Sequence, residues 1–172
     1  MDITTLFKLS YGLYVVSSKI GDKLNGQISN TVMQVTAEPI KILLCLNKNN
    51  LTYQYIKESG AFSISILDQN TPMPFIGHFG FKSGRDIDKF KDIDHKIGKT
   101  GTPIVTSHTL GYLECEVVGE MDAGTHVAFI GKLIDAQTLQ AGEPLTYAYY
   151  YQVKNGKASK NAPTYIKNDK IT

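Results

Sequence analysis

Cysteine is scarce, occurring only at Cys45 and Cys115, each inside an apolar run, KILLCLN and LGYLECEV. A structural zinc or iron–sulfur centre usually takes four soft ligands, often from CxxC pairs. No metal centre is therefore expected, and both thiols read as reduced packing groups. The four histidines, His78, His95, His108 and His126, form no HExxH and no close pair. Arginine occurs once, at Arg85. There is no GxGxxG opening a helix after a strand, no GxxxxGKS loop and no GxSxG elbow, so those phosphate cradles and that nucleophile are excluded. Neither cysteine has the polar neighbours of an activated thiolate. No stretch approaches the eighteen apolar residues of a membrane span. The N-terminus MDITTLFKLS lacks the basic-then-apolar pattern of a signal peptide. A soluble, cytoplasmic protein is expected, with no membrane contact.

Charge of neither sign dominates. Eighteen Lys and Arg stand against sixteen Asp and Glu, for a net charge of +2. That balance argues against a nucleic-acid binder, whose affinity rests on neutralising phosphates. The charge is uneven, however. From Tyr147 to Thr172 there are five lysines, Lys154, Lys157, Lys160, Lys167 and Lys170, against Asp169 alone. A solvated surface strand and arm accounts for this, and a site for a phosphate-bearing small molecule is the alternative. With 172 residues and 42% hydrophobic content, the chain reads as one domain over 1–172. A chain of this size buries about 70% of its unfolded surface and needs no disulfide or metal to fold.

Most segments have strand character. YGLYVVSSKI (11–20) is β-branched and aromatic and ends at the turn-forming GDKLNG. QISNTVMQVT (27–36) continues extended, with mixed polarity. KILLCLN (41–47) is a buried strand, and AFSISIL (61–67) alternates as a half-buried one. Between them LTYQYIKES (51–59) has helical spacing, with Gly60 as its stop. The middle, 71–99, is rich in Pro and Gly and predicts short helices and functional loops. Strands resume with LGYLECEVVGEM (110–121) and HVAFIGKLIDAQTL (126–139), a long hairpin across DAGT. PLTYAYYYQV (144–153) is expected as a last aromatic strand before the basic arm. Many short strands, few helices and regular turns predict a mainly β, antiparallel barrel with helical excursions.

Two polar clusters remain as candidates for chemistry. The carboxylates of GRDIDKFKDID (84–94) are interleaved with lysines and lack the glycine and terminal Glu of a calcium loop, which predicts a solvated, salt-bridged helix. SNTVMQVT (29–36) and NKNN (47–50) offer neutral donors for a ligand with a flat body and polar edge, and Lys48 and Arg85 could supply charge for a phosphate. By residue type alone an ordinary barrel surface with a polar hairpin explains these clusters better than a ligand site does.

Taken in order, YGLYVVSSKIGDKLNGQISNTVMQVT, LLCLNKNNLTYQYIKESGAFSISIL, FGFKSGRDIDKF, LGYLECEV, DAGTHVAFIGKLIDA and GEPLTYAYYYQVKNGKASKNAPTYI span almost the whole chain. They resemble the flavin reductase-like, FMN-binding split barrels, close to the flavin-reductase domain of high-molecular-weight rubredoxins, ferric reductases and flavoredoxins. The resemblance implies an antiparallel, Greek-key split barrel and a homodimer holding noncovalent FMN at the subunit interface. It further implies Asn30, Thr31 and Gln34 as ligands of the isoalloxazine edge and ribityl chain, and Cys45, Asn47, Lys48 and Asn49 touching ring and phosphate. Ser83, Gly84 and Arg85 would form the phosphate turn. His126, in a turn where Thr125 replaces the family's commoner Asp, would stand beside the reactive face as the catalytic residue. The four tyrosines of 147–151 would pack against the other subunit.

The implied activity is that of an NAD(P)H-dependent flavin or ferric reductase. Hydride would pass from NADH or NADPH, a transient donor, to flavin N5, and electrons onward to free flavin, an iron chelate, oxygen or a redox partner protein. The alternative is an FMN-binding electron carrier reduced by a partner instead of a nicotinamide. A relation to pyridoxamine phosphate oxidases fits the motif order less well. Because the cofactor carries the hydride chemistry, the lack of an acid–base pair or metal set is consistent. Two cysteines cannot make the four-thiolate iron centre of the rubredoxin-fused relatives.

Overall fold

The computed structural model describes residues 1–165; Lys167 and Lys170 of the basic arm lie outside them. After a short 3-10 turn, Ile3–Lys8, the order is β1 (Tyr14–Ile20), β2 (Lys23–Ser29), β3 (Val32–Ala37), β4 (Ile40–Asn47), α1 (Leu51–Ser59), β5 (Ala61–Leu67), α2 (Met73–Gly80), β6 (His95–Ile97), β7 (Pro103–Val105), β8 (Thr109–Asp122), β9 (His126–Thr138) and α3 (Tyr147–Gln152). Seven strands form one antiparallel sheet in the order β2-β1-β5-β8-β9-β4-β3. Its two edge strands, β2 and β3, are consecutive in the chain. The two-residue link Asn30–Thr31 therefore brings the ends of the sheet together without a ladder between them, and the sheet curves into a split barrel. Cys45 N, on β4, donates to Thr31 O at 3.1 Å, which carries the β3–β4 pairing up to that link.

The extended reading of 27–36 is corrected here, because the chain breaks at Asn30–Thr31 and passes from one sheet edge to the other. The tight turn before β2 falls at Gly21, in the left-handed region at φ 55°, which glycine tolerates at little cost.

Two apolar clusters hold the fold, and β1 is common to both. Val16 points into the cluster of Leu44, Leu46, Ile56, Phe62, Ile64 and Phe129. Val15, its neighbour, points the opposite way, to Leu67, Ile76, Phe79, Phe90, Leu145 and Tyr150, as the two-residue period of a strand requires. The first lies between the sheet and α1; the second is covered by α2, the loop after it and α3. β5 is likewise buried on both faces, which corrects its half-buried reading. Its polar positions are satisfied: Ser65 Oγ donates to Val105 O at 2.9 Å, and Ser63 Oγ to Pro103 O. The helix over 51–59 ends as its spacing predicts, with Gly60 left-handed at φ 68°.

Two further expectations fail for tertiary reasons. Residues 147–152 are helical, although tyrosine favours strands. Thr146 caps the helix, its Oγ1 accepting from Tyr149 N, and helical spacing lets Tyr147 pack on Tyr150 and Tyr151, centroids 6.0 and 6.5 Å apart. Tyr150 is buried in its own chain, so only Tyr151 of the four is left well exposed. Residues 84–94 form turns, not a solvated helix. Lys89 is buried at 4% exposure there, and among the described residues none of the four aspartates makes an ion pair.

Candidate functional site

Two cavities adjoin where β2, the end of β4, α2 and the C-terminal segment converge, sharing Gln27, Asn50, Phe81 and Asn161 as common wall. The larger encloses about 370 Å³. Four cations line it, Lys82, Arg85, Lys89 and Lys160, and no carboxylate does. Asn50, Leu51 and Thr52, at the start of α1, also line it. The first turn of a helix offers unpaired N–H groups and the positive end of the helix dipole, so the cavity suits an anion.

At its floor, Asn25 is 2% exposed. Its Nδ2 donates to Thr52 Oγ1 at 2.8 Å, while Oδ1 has no partner among the described residues. Gly84 sits directly above, where a Cβ would collide with that amide oxygen. Only glycine permits this approach of the loop.

The smaller cavity, about 50 Å³, is lined by Asn30, Cys45 and Asn47 on one side and by Phe81, Tyr147 and Tyr150 on the other. Residues 157–163 lie across it. Asn161 Nδ2 donates to Asn50 Oδ1 at 2.9 Å, and Asn30 Nδ2 to Thr164 Oγ1 at 2.9 Å. Thr31 Oγ1 donates to Asn30 Oδ1 at 3.1 Å, which fixes the orientation of that amide. Burial raises the pKa of the half-buried Cys45 thiol. In Cys115, at the core, burial first and the Glu114 charge second push it up to about 12. Neither thiol is therefore activated.

His126 opens β9 and is gripped at both nitrogens. Nε2 lies 3.2 Å from Asn161 O and Nδ1 2.8 Å from Thr125 Oγ1. A carbonyl only accepts, so Nε2–H donates to Asn161 O, and the Thr125 hydroxyl is the partner of Nδ1.

The structure thus gathers Asn30, Cys45 and Asn47 at one cavity and Asn49, Ser83, Gly84 and Arg85 at the other. Thr31 and His126 adjoin the first through the bonds just described. Gln34 and Lys48 are not brought in. Gln34, on exposed β3, donates to Thr36 O at 3.2 Å. Lys48 pairs with Asp122 at 2.8 Å, a bond that lowers the Asp122 pKa and occupies the charge expected to meet a phosphate. The Arg85 guanidinium reaches Asn49 O at 3.4 Å.

Sequence reasoning missed Asn25, Lys89 and Asn161. For Lys89 the one available signal was its position between Ile87 and Phe90 in an otherwise charged stretch; the asparagines gave none.

A split antiparallel barrel with an anion cavity beside an amide- and aromatic-lined cleft defines the class: the flavin reductase-like domains. The flavin reductase like domain matches residues 6–154, and the chain belongs to that family. It is 46% identical over 168 residues to the ferric-chelate reductase (NAD(P)H) of Archaeoglobus fulgidus, covering 98% of this chain and 99% of that one. It is 49% identical over 165 residues to a high molecular weight rubredoxin of Moorella thermoacetica, covering 96% and 72%. In fold it is similar to the NADH:FAD oxidoreductase SgcE6 of Streptomyces globisporus, at a TM-score of 0.76 and 23% identity over 84% of this chain and 86% of that one. The protein is an oxidoreductase of the flavin reductase type. Among the described residues no helix is long and apolar enough to cross a membrane.

Proposed function

We propose that this protein is a flavin reductase that binds FMN noncovalently and takes reducing equivalents from NADH or NADPH for delivery to an acceptor. The observation that carries this reading is the joining of the two cavities: one has four cations, a helix N-terminus and no acid, the other amides and aromatic rings. FMN has the same two halves, a charged phosphate and a flat, uncharged ring with polar atoms along its edge. The orphan oxygen of Asn25 is what a site for such a ligand would leave.

In this reading Ser83, Gly84, Arg85 and the start of α1 hold the phosphate, and Asn49 buttresses the turn by accepting from Arg85. Asn30, Asn47 and Cys45 line the ring edge, with Thr31 orienting the Asn30 amide. When bound, the flavin supplies the chemistry, accepting a hydride from a reduced nicotinamide and giving up electrons to the next acceptor. His126 stands beside the ring cleft, its Nε2–H donated to Asn161 O and its Nδ1 held by Thr125. The wall residues exclude water and position the reactants, which is the main contribution a protein makes to such a transfer.

A second copy of the chain is proposed to cover the outer face of β3, β4, β9 and β8. There Met33, Leu43 and Ile130 form one cross-strand row, and Cys45, Ala128 and Met121 the next. Met33 and Met121 are 58% and 62% exposed. The second row runs to Cys45, which lines the ring cleft, so a partner there would border the flavin. Sedimentation is expected to give a dimer, and Met121→Lys a monomer.

The test begins with colour. Purified protein should be yellow and release FMN on denaturation; a colourless protein that FMN does not reconstitute overturns the reading. Anaerobic stopped-flow mixing with each nicotinamide should bleach the flavin absorbance rapidly. A flavin that stays oxidised for minutes with both would instead assign an electron carrier reduced by a partner protein.

A further inference from the structure

Lys89 is buried without a counter-charge. It sits on the loop after α2, and its Nζ donates to Gly26 O on β2 and Phe79 O on α2, both at 2.9 Å. An ammonium has three donors, and these carbonyls take two. None of the ion pairs among the described residues includes Lys89. Burying an ammonium is costly unless the charge is paired. A neutral side chain could bridge the same two carbonyls more cheaply, so the bridge explains the position of Lys89 and leaves its charge unexplained.

The residue lines the cation-walled cavity, and Asn25 lines it too. The Thr52 hydroxyl donates as readily as it accepts, so the Asn25 amide can turn over, keep its bond to Thr52 and place its N–H groups beneath the Gly84 turn that lines the cavity. We propose that Lys89 and Asn25 form the buried floor of this cavity and make the site select phosphorylated over unphosphorylated flavin. This rests on the FMN reading above. A phosphate entering past Ser83 and Arg85 meets the third N–H of Lys89 and supplies the missing negative charge.

The surroundings agree. From the loop itself, Lys82 and Arg85 line the cavity, whereas Asp86 and Asp88 do not; the C-terminal segment adds Lys160. α2 contributes His78, whose Nε2 donates to the main-chain oxygen of Lys89 at 2.9 Å. β2 and α1 present only the uncharged Asn25, Gln27, Ile28, Leu51 and Thr52. Burial pushes the Lys89 pKa down to about 8, the direction expected of a cation awaiting an anion.

The experiment titrates apoprotein with FMN and with riboflavin by fluorescence, in wild type, Lys89→Met and Asn25→Leu. Lys89→Met should weaken FMN about ten- to a hundredfold, the scale of one charge-assisted bond, and leave riboflavin within about twofold. Asn25→Leu should act the same way, by about three- to tenfold. Equal losses for both flavins, or no loss for FMN, overturn the proposal and leave Lys89 a strut. Should Lys89→Met not fold, the wild-type ratio of FMN to riboflavin affinity decides between pH 7 and 9, a window in which ordinary lysines keep their charge. Ring ionisation is common to both ligands and cancels. The ratio should fall severalfold with rising pH, and a flat ratio overturns the proposal. Wild-type protein that binds neither flavin overturns the FMN reading as well.

Discussion

His126 and Asn161, 35 residues apart in sequence, are joined by a hydrogen bond of 3.2 Å from Nε2 to the main-chain oxygen. The bond ties the imidazole at the start of β9 to the segment that crosses the ring cleft. That segment must release Nε2–H before the histidine can meet a ligand. His126→Ala should slow flavin reduction by roughly ten- to a hundredfold, the range for one positioned polar group, in anaerobic stopped flow. FMN should stay bound, since no phosphate contact is touched. An unchanged rate would refute a catalytic role.

The ring cleft holds only about 50 Å³, whereas sites for ligands of this size usually offer at least about 300 Å³. Entry of a flavin ring therefore requires residues 157–163 to shift. Amide hydrogen exchange should rise across that segment when FMN binds, while the loop at 83–85 becomes protected. Unchanged exchange over 157–163 would mean that the ring enters by another route.

Arg85→Ala is expected to weaken FMN by about 1.5–3 kcal/mol in fluorescence titration at low salt, the usual scale for a charge-assisted hydrogen bond. Lys48→Ala is the internal control. Its ammonium is held by Asp122 at the surface, so FMN affinity should change by less than about 0.5 kcal/mol.

Lys89 gives the apoprotein a pH signature. Its folded pKa, about 8, lies below the roughly 10.4 of an unfolded lysine. Under pH 8 both states carry the proton and the native state bears the cost of the buried charge. Between the two values the unfolded chain binds more protons, so stability rises with pH. Relative to Lys89→Met, wild-type apoprotein should gain about 2 kcal/mol between pH 7.5 and 9.5 in urea unfolding. A constant difference would mean that the lysine is not desolvated.

Gly131, on β9, marks the tightest point of the first core. A Cβ there would sit 2.5 Å from Phe62 Cζ and 2.6 Å from Cys115 Cβ. Gly131→Ala should cost about 1–3 kcal/mol by overpacking, read from the urea midpoint, with the flavin site intact.

The strands, the helix over 51–59 with its stop at Gly60, and the long hairpin of β8 and β9 were legible because each carries a local period and a terminating turn. The helix of α3 was not. Tyr147, Tyr149, Tyr150 and Tyr151 favour strand in isolation, and only the Thr146 cap and the core waiting for Tyr150 turn them helical. Ser83, Gly84 and Arg85 were legible as a contiguous turn, whereas Lys48 looked equally suited to an anion until Asp122, 74 residues on, took it.

The order of residues alone specifies an antiparallel β protein without metal-type motifs and, through motifs spread along most of its length, its membership of the flavin reductase-like family. Those properties are written in neighbours: alternation, turn residues and contiguous segments. Which lysine is buried, which asparagine keeps an orphan oxygen and which carbonyl holds His126 follow from contacts between residues tens of positions apart. Asn25 meets Gly84, Lys89 meets Gly26, and Asn161 meets both Asn50 and His126. Such pairs leave no periodic trace, because a polar residue pays its desolvation cost only where the folded chain encloses it.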